Sequence, residues 1–400
     1  MGSIEGQEIH VLMVALPFQG HLNPMLKFAK HLARTNLHFT LATIESARDL
    51  LSSTDEPHSL VDLVFFSDGL PKDDPRDHEP LTESLRKVGA NNFSKIIEGK
   101  RFDCIISVPF TPWVPAVAAA HNIPCAILWI EACAGFSVYY RYYMKTNSFP
   151  DLEDPNQKVE LPGLPFLEVR DLPTLMLPSH DGKSLDMWKA DDYCMEWLDK
   201  QVRSSVFYIS FGSILKSSEN QVETIATALK NRGVPFLWVI RPKEKAENVD
   251  VLEDMVEEGQ GVVIEWGQQV KILCHMAISC FVTHCGWNST IETVVTGVPV
   301  VAYPTWFDQP LDARLLVDVF GIGVRMKNDV VDGELKVAEV ERCIDAVTKV
   351  TDAADMRRRA AELKQATRSA MAPGGSLARN LDLFINDIKI VKNDVILTPK

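Results

Sequence analysis

A dinucleotide fingerprint is missing from this sequence: Gly321-Ile322-Gly323 lacks the third glycine of Gly-x-Gly-x-x-Gly and follows no nucleotide-type strand–turn–helix. This disfavours a dinucleotide oxidoreductase, and the absence of Gly-x4-Gly-Lys-Ser/Thr disfavours a P-loop NTPase. No Asp-x-Asp pair occurs, and His275 and His284 have no third ligand at metal spacing, so no metal is expected. Basic charge is in deficit; the formal net charge of −13 argues against nucleic acid or an anionic membrane as partner. No run of eighteen apolar residues offers a membrane span. The start, MGSIEGQEIH, has no basic-then-apolar signal pattern, and Gly6 breaks a myristoylation match. The eight cysteines form no Cys-x-x-Cys pair and sit mostly in apolar segments, which reads as buried free thiols in a reducing compartment. A soluble cytoplasmic protein is expected; the sequence carries no visible signal for an oligomeric state.

What is present is an alternation of short β-branched runs with amphipathic helices. The chain has 400 residues, 46% hydrophobic and 24% charged, ordinary for a globular protein and too long for one core. Strands are expected at 9–16, 39–44, 61–66, 104–108 and 125–129, then at 206–212, 236–241, 262–266, 278–283 and 298–304. Helices are expected at 24–34, 81–98, 113–121, 132–144, 218–231, 287–296, 308–319, 336–347, 353–372 and 375–388. Two runs of βαβ units imply an α/β fold with two Rossmann-like, doubly wound parallel sheets, separated by the Pro- and polar-rich stretch 145–195. Open parallel sheets bind ligands beyond the carboxyl ends of their strands. The candidate loops are therefore 17–24, 108–113, 211–213, 265–269, 283–289 and 304–309, and the unusual residue clusters fall in them.

The stretch Thr283-His284-Cys285-Gly286-Trp287-Asn288-Ser289 is the most informative. Gly286 lets a ligand approach the backbone, and the helix start that follows offers free N–H groups and a positive dipole end, an anion site. His284, Asn288 and Ser289 suit a diphosphate, and Glu292, one turn on, suits ribose hydroxyls. An N-cap with a buried Trp is the plainer alternative. Trp266 offers a flat face to a base, and Asp308 and Gln309 suit sugar hydroxyls. His21, in the loop after the first strand, is the candidate catalytic histidine. Phe18, Phe110, Trp113 and Phe136 are candidates for an apolar acceptor pocket and equally for core.

The ordered series Trp266, Gln269, His284-Cys285-Gly286-Trp287-Asn288-Ser289, Glu292, Gly297-Val298-Pro299, Pro304, Asp308 and Gln309 resembles the signature box of plant secondary-product UDP-glycosyltransferases. These are inverting family-1 enzymes with the GT-B fold, two Rossmann-like domains facing a central cleft. The resemblance extends over nearly the whole chain, including Leu16 to Met25, and is nearest to the subgroup that makes glucose esters of carboxylic acids, such as indole-3-acetate (auxin) glucosyltransferases. It implies an acceptor-binding domain over 1–176, a shortened linker over 177–200 and a UDP-sugar domain over 201–374. A C-terminal helix and tail over 375–400 would pack back towards the first domain. It also implies that Trp266 stacks on uracil and that Gln269 and Glu292 bind ribose. His284, Asn288, Ser289 and Ser213 contact the diphosphate, with Gly286 at the close backbone approach. Trp287, Asp308 and Gln309 hold glucose, and His21 is the general base. UDP-glucose is then a substrate, with no metal or other cofactor, and the second substrate is a small carboxylic acid.

Three departures from the family pattern bear on the reaction. Gln268 stands where the box has Pro, which loosens the loop under the base. Val108 stands where an Asp partners the catalytic histidine; a carboxylic acid, with a pKa of about 4–5, is already ionised at neutral pH and needs orientation, not deprotonation. Glu131 stands where a neutral polar residue lies near the sugar. The chain is also short for the family, with an apparent internal deletion near residue 180. The alternative reading is an impaired relative that binds nucleotide without turnover or folds unstably; a sugar-nucleotide epimerase is a more distant one.

Overall fold

In the computed structural model the described residues are 8–32, 37–48, 51, 61–71, 78–173, 193–212, 218–240, 250–329 and 331–397. The first sheet runs β3(Val61–Phe66)-β2(Leu37–Ile44)-β1(Ile9–Val14)-β4(Cys104–Ser107)-β5(Cys125–Ile127), all parallel. Two short antiparallel strands, β6(Lys158–Val159) and β7(Leu167–Glu168), follow. The second sheet runs β10(Gly261–Ile264)-β9(Phe236–Val239)-β8(Val206–Ser210)-β11(Ile278–Thr283)-β12(Val300–Ala302)-β13(Gly323–Arg325), again parallel throughout. Both sheets reverse their strand order beside their first strand, the doubly wound arrangement in which ligands bind at the reversal point.

Strand residues alternate between two buried faces, as parallel sheets covered on both sides require. In β1, Val11 and Met13 join a core that includes Leu41 and Ile106, whereas Leu12 and Val14 join Ile44, Phe93 and Ile105 on the other face. In the second sheet, Phe207, Ile209 and Trp238 lie on one face; Tyr208, Leu237 and Phe281 lie on the other. Full burial of each such side chain stabilises by roughly 1.5–3 kcal/mol.

The chain forms two compact units. The first holds the described residues up to Ile130 together with the C-terminal stretch from Met371; Ile385 and Ile388 of the helix Ser376–Leu397 enter its core. The second holds the described residues from Glu131 to Ala370. The expected first domain ran to 176, but residues 131–173 pack with the second unit. Val138, Leu161, Leu167, Val169 and Leu172 form a cluster with Leu311. The buried Asp171 accepts from Arg325 Nη1 at 2.8 Å, and Arg314 Nη2 donates to the Phe166 carbonyl at 3.0 Å. The expected linker over 177–200 falls largely outside the described residues.

Element boundaries follow the expected ones with instructive exceptions. The strand at 298–304 shrinks to Val300–Ala302, and β6, β7 and β13, two or three residues each, were too short to show a period. The helix expected from Pro24 begins at Gln19, with Pro24 inside it; His21 and Leu22 N–H both donate to the Phe18 carbonyl at 2.8 Å. His21 therefore rides on the first helical turn and not in a loop.

Candidate active site

In the second unit, four loops at the carboxyl ends of β8, β10, β11 and β12 carry the residues the sequence singled out. The turn after β11 is tied at both ends by hydroxyls. Thr283 Oγ1 accepts from Cys285 N at 3.0 Å, and Thr290 Oγ1 donates to the Cys285 carbonyl at 3.2 Å. These bonds hold Cys285 at φ 64°, a left-handed conformation that costs a non-glycine residue about 1–2 kcal/mol. The helix Trp287–Thr296 follows this strained turn directly, with Gly286 at its N-cap and no side-chain cap for its first N–H groups.

Two glycines make the seat of His284. A methyl group at Gly212 would lie 2.6 Å from His284 Nε2, and one at Gly286 would lie 2.7 Å from the same atom. Burial lowers the imidazole pKa to about 4, against an opposing hydrogen bond to the Ser210 backbone. His284 is thus neutral at physiological pH, and any anion at this helix start is met by N–H dipoles and a neutral ring.

Gln269 gathers the neighbouring groups. Its Oε1 accepts from Tyr208 Oη at 3.2 Å, while its Nε2 donates to Ser289 Oγ at 2.9 Å and to Glu292 Oε2 at 2.7 Å. A residue from the turn after β10 is thereby joined to two from the helix after β11. Trp266, half-buried, follows β10 directly, and Gln268 is exposed at the cap of the helix Gln269–Leu273. Trp287 and Asn288 are half-buried on the first helical turn. Ser213 lies outside the described residues.

The turn after β12 is stapled by its own glutamine. Gln309 Oε1 accepts from Thr305 N at 3.1 Å, Thr305 Oγ1 at 3.0 Å and Trp306 N at 3.2 Å. Phe307, at φ 64°, turns the chain so that Asp308 opens the helix Gln309–Arg314 with 6% of its surface exposed. Burial pushes the Asp308 carboxyl up to about 7. Among the described residues no group of three His, Cys, Asp or Glu side chains is arranged to hold a metal, and no helix is long and apolar enough to cross a membrane. All eight cysteines are free thiols; Cys133 and Cys274 are exposed.

Comparison with known proteins decides the family. The family model "UDP-glucoronosyl and UDP-glucosyl transferase" matches residues 129–347. UDP-glycosyltransferase 84B2 of Arabidopsis thaliana is 73% identical over 437 aligned residues, covering 94% of this chain and all of that one. The chain belongs to the UDP-glycosyltransferases. UDP-glycosyltransferase 84B1 of the same plant is 66% identical, covering 98% of this chain and 100% of its own. Gallate 1-beta-glucosyltransferase of Quercus robur is 34% identical, with 95% and 90% covered. Among solved structures, Os79 from O. sativa in complex with UDP superposes with a TM-score of 0.83 at 27% identity, covering 94% of this chain and all of that one. The fold is GT-B.

The first unit of this glycosyltransferase holds His21 where its sheet reverses, between the turns after β1 and β4. The His21 ring stacks on Phe110 with centroids 4.6 Å apart and meets Phe18 edge-on at 5.3 Å. Val108, in the position the family resemblance gives to an Asp, is buried with 1% exposed. Trp113 lies deeper, edge-to-face with Phe93 at 5.5 Å and Phe66 at 6.1 Å, as part of the core. Phe136 is half-exposed on a helix of the second unit. Of the four pocket candidates, the structure brings Phe18 and Phe110 to His21. Sequence reasoning assigned no role to Tyr208, whose partner Gln269 lies 61 residues away, or to Thr290, which ties the turn at Cys285. Asp312 was also missed, although its spacing of four from Asp308 on an expected helix was a usable signal.

Proposed function

We propose that this UDP-glycosyltransferase transfers glucose from UDP-glucose, with inversion, to aromatic or indolic carboxylic acids, forming β-glucose esters. The observation that carries the acceptor class is the setting of His21: two Phe rings flank it, and Val108 stands where an acid would raise its basicity. A phenol or alcohol must lose a proton to attack, for which a histidine backed by a carboxylate is suited. A carboxylate arrives without its proton and needs only to be held.

In this reading one acceptor carboxylate oxygen attacks the anomeric carbon from the face opposite UDP. The bond from that carbon to the diphosphate oxygen breaks, and its electron pair leaves with UDP. Trp266 stacks on the base, and Gln269 holds Glu292 ready for the ribose. The helix start at 286–289 receives the developing charge on the diphosphate, with Ser213 as a further contact by the family resemblance. Trp287, Asp308 and Gln309 hold the hexose. A gallate 1-beta-glucosyltransferase among the relatives supports ester formation by analogy. Indole-3-acetate stands as the representative acceptor, and the enzyme works without a metal in the cytoplasm.

Gln268 and Val108, in place of the Pro and Asp of the family pattern, favour a second reading, a protein that binds nucleotide without turnover. The test is a panel of aromatic acids and matched phenols with UDP-glucose, following UDP release and product mass. Base-labile glucose esters from acids, with no glucosides from phenols, are expected. Unchanged kcat/KM in His21→Ala with every acceptor would remove that residue from the site. A UDP-dependent rise in melting temperature without product would establish the second reading instead.

A further inference from the structure

Three carboxyl side chains of the second unit lie together almost out of reach of solvent: Glu131, Asp308 and Asp312, with 6%, 6% and 0% exposed. Asp308 and Asp312 sit one turn apart, the Asp312 N–H donating to the Asp308 carbonyl at 3.0 Å. Glu131 reaches them from just before the helix Cys133–Tyr143. A methyl group at Gly135 would lie 3.7 Å from Glu131 Oε2 and 3.9 Å from Leu311 Cδ2, so the two helices approach closely there.

Both oxygens of Asp312, and Oε2 of Glu131, are buried without a hydrogen-bond donor among the described residues. Buried polar atoms are rarely left so. Asp308 and Asp312, four residues apart at the start of one helix, share a face, and the charges of Asp308 and Glu131 both bear on Asp312. Carboxyl oxygens can bond to one another only through a proton carried by one of them. The other titratable groups facing the cluster are Tyr139, from the helix Cys133–Tyr143, and Cys285, from the turn after β11, the latter also near Arg325 of β13. Burial pushes the Tyr139 and Cys285 groups well up, so neither changes charge near neutrality.

We propose that Glu131 and Asp312 are proton-bearing positioning residues that fix Asp308 in one orientation as an acceptor, and so set how tightly the enzyme holds the hexose of its donor. The inference rests on the reading in which Asp308 touches the sugar. A proton-bearing Glu131 is uncharged and would not repel an acidic acceptor. Burial and the charge of Asp308 push Glu131 up to about 8, consistent with that state at neutral pH.

The test compares UDP with UDP-glucose binding across pH 6 to 9 in the full chain. In the wild type, UDP-glucose affinity should weaken as pH rises through the range in which the cluster loses its protons, while UDP affinity stays level. Asp312→Ala should lose about tenfold or more in UDP-glucose affinity, the scale of a hydrogen bond to a charged group, with UDP held within about twofold. Asp312→Asn, which keeps a permanent donor, should restore affinity and flatten the pH dependence; Glu131→Gln, on a separate element, should flatten it too. Identical pH profiles in wild type, Asp312→Asn and Glu131→Gln would overturn the proposal, as would parallel losses for UDP and UDP-glucose. Failure of the underlying reading looks different: wild-type protein would bind UDP-glucose no differently from UDP at any pH.

Discussion

Replacing Gly286 by Ala isolates the steric part of the site. Gly286 has φ −58° and ψ 148°, which Ala adopts freely, so the backbone contributes no strain. The added methyl would lie 2.7 Å from His284 Nε2, roughly 0.7 Å inside contact distance. Retreat is limited, because Gly212 already approaches the same nitrogen so closely that its own Cβ position is 2.6 Å away. Forcing a side chain into a filled site costs about 1–3 kcal/mol. If the displacement is taken up at the helix start, UDP affinity falls about tenfold to a hundredfold. Calorimetric titration with UDP measures this, with melting temperature recorded alongside. The decisive comparison is in a His284→Ala background, where the ring is gone and the same Gly286→Ala change should cost almost nothing. Wild-type UDP affinity in Gly286→Ala, or an equal loss in both backgrounds, would refute the steric account.

Two further outcomes follow from the same geometry. Gln269→Ala removes both amide donors, to Ser289 and Glu292, and the acceptor of the Tyr208 hydroxyl; UDP should bind about tenfold to a hundredfold more weakly, while uracil alone, in the stacking proposed on Trp266, should change little in competition experiments. Stability should depend on pH with opposite signs at two residues. Glu131 is raised from 4.5 to about 8, so its contribution is complete below about pH 4.5 and is lost as pH rises to about 8. His284 is lowered from 6.5 to about 4, so its contribution is complete above about pH 6.5 and is lost as pH falls towards 4. Glu131→Gln should therefore raise the melting temperature by several degrees at pH 8.5 relative to wild type and give little or no gain at pH 5; a loss at pH 8.5 would contradict the burial argument.

Much of the architecture was legible along the chain. The short, mostly apolar runs Ile9–Val14 and Ile278–Thr283 identify buried strands. The helix Trp287–Thr296 starts and stops where Gly286 and Gly297 stand. The ordered cluster from Trp266 to Gln309 pointed to the UDP-glycosyltransferases because each member's chemistry is local to its own loop.

Other features depended on residues distant in sequence. Pro24 marks a helix start by local preference, yet the helix begins at Gln19 and carries His21 onto the face of Phe110. Trp113, polar-tipped and beside a candidate loop, went to the core because Phe66 and Phe93 complete an aromatic cluster around it. The segment 131–173 joined the second unit through the bond of Asp171 to Arg325 and the packing of its apolar residues on Leu311, partners distant in sequence. Periodicity, turn chemistry and motif order are properties of neighbours along the chain, and these the sequence alone determined. The neutral state of His284 and the proton carried between Glu131, Asp308 and Asp312 were decided only by the tertiary structure, because desolvation arises from everything that surrounds a group once the chain has closed over it.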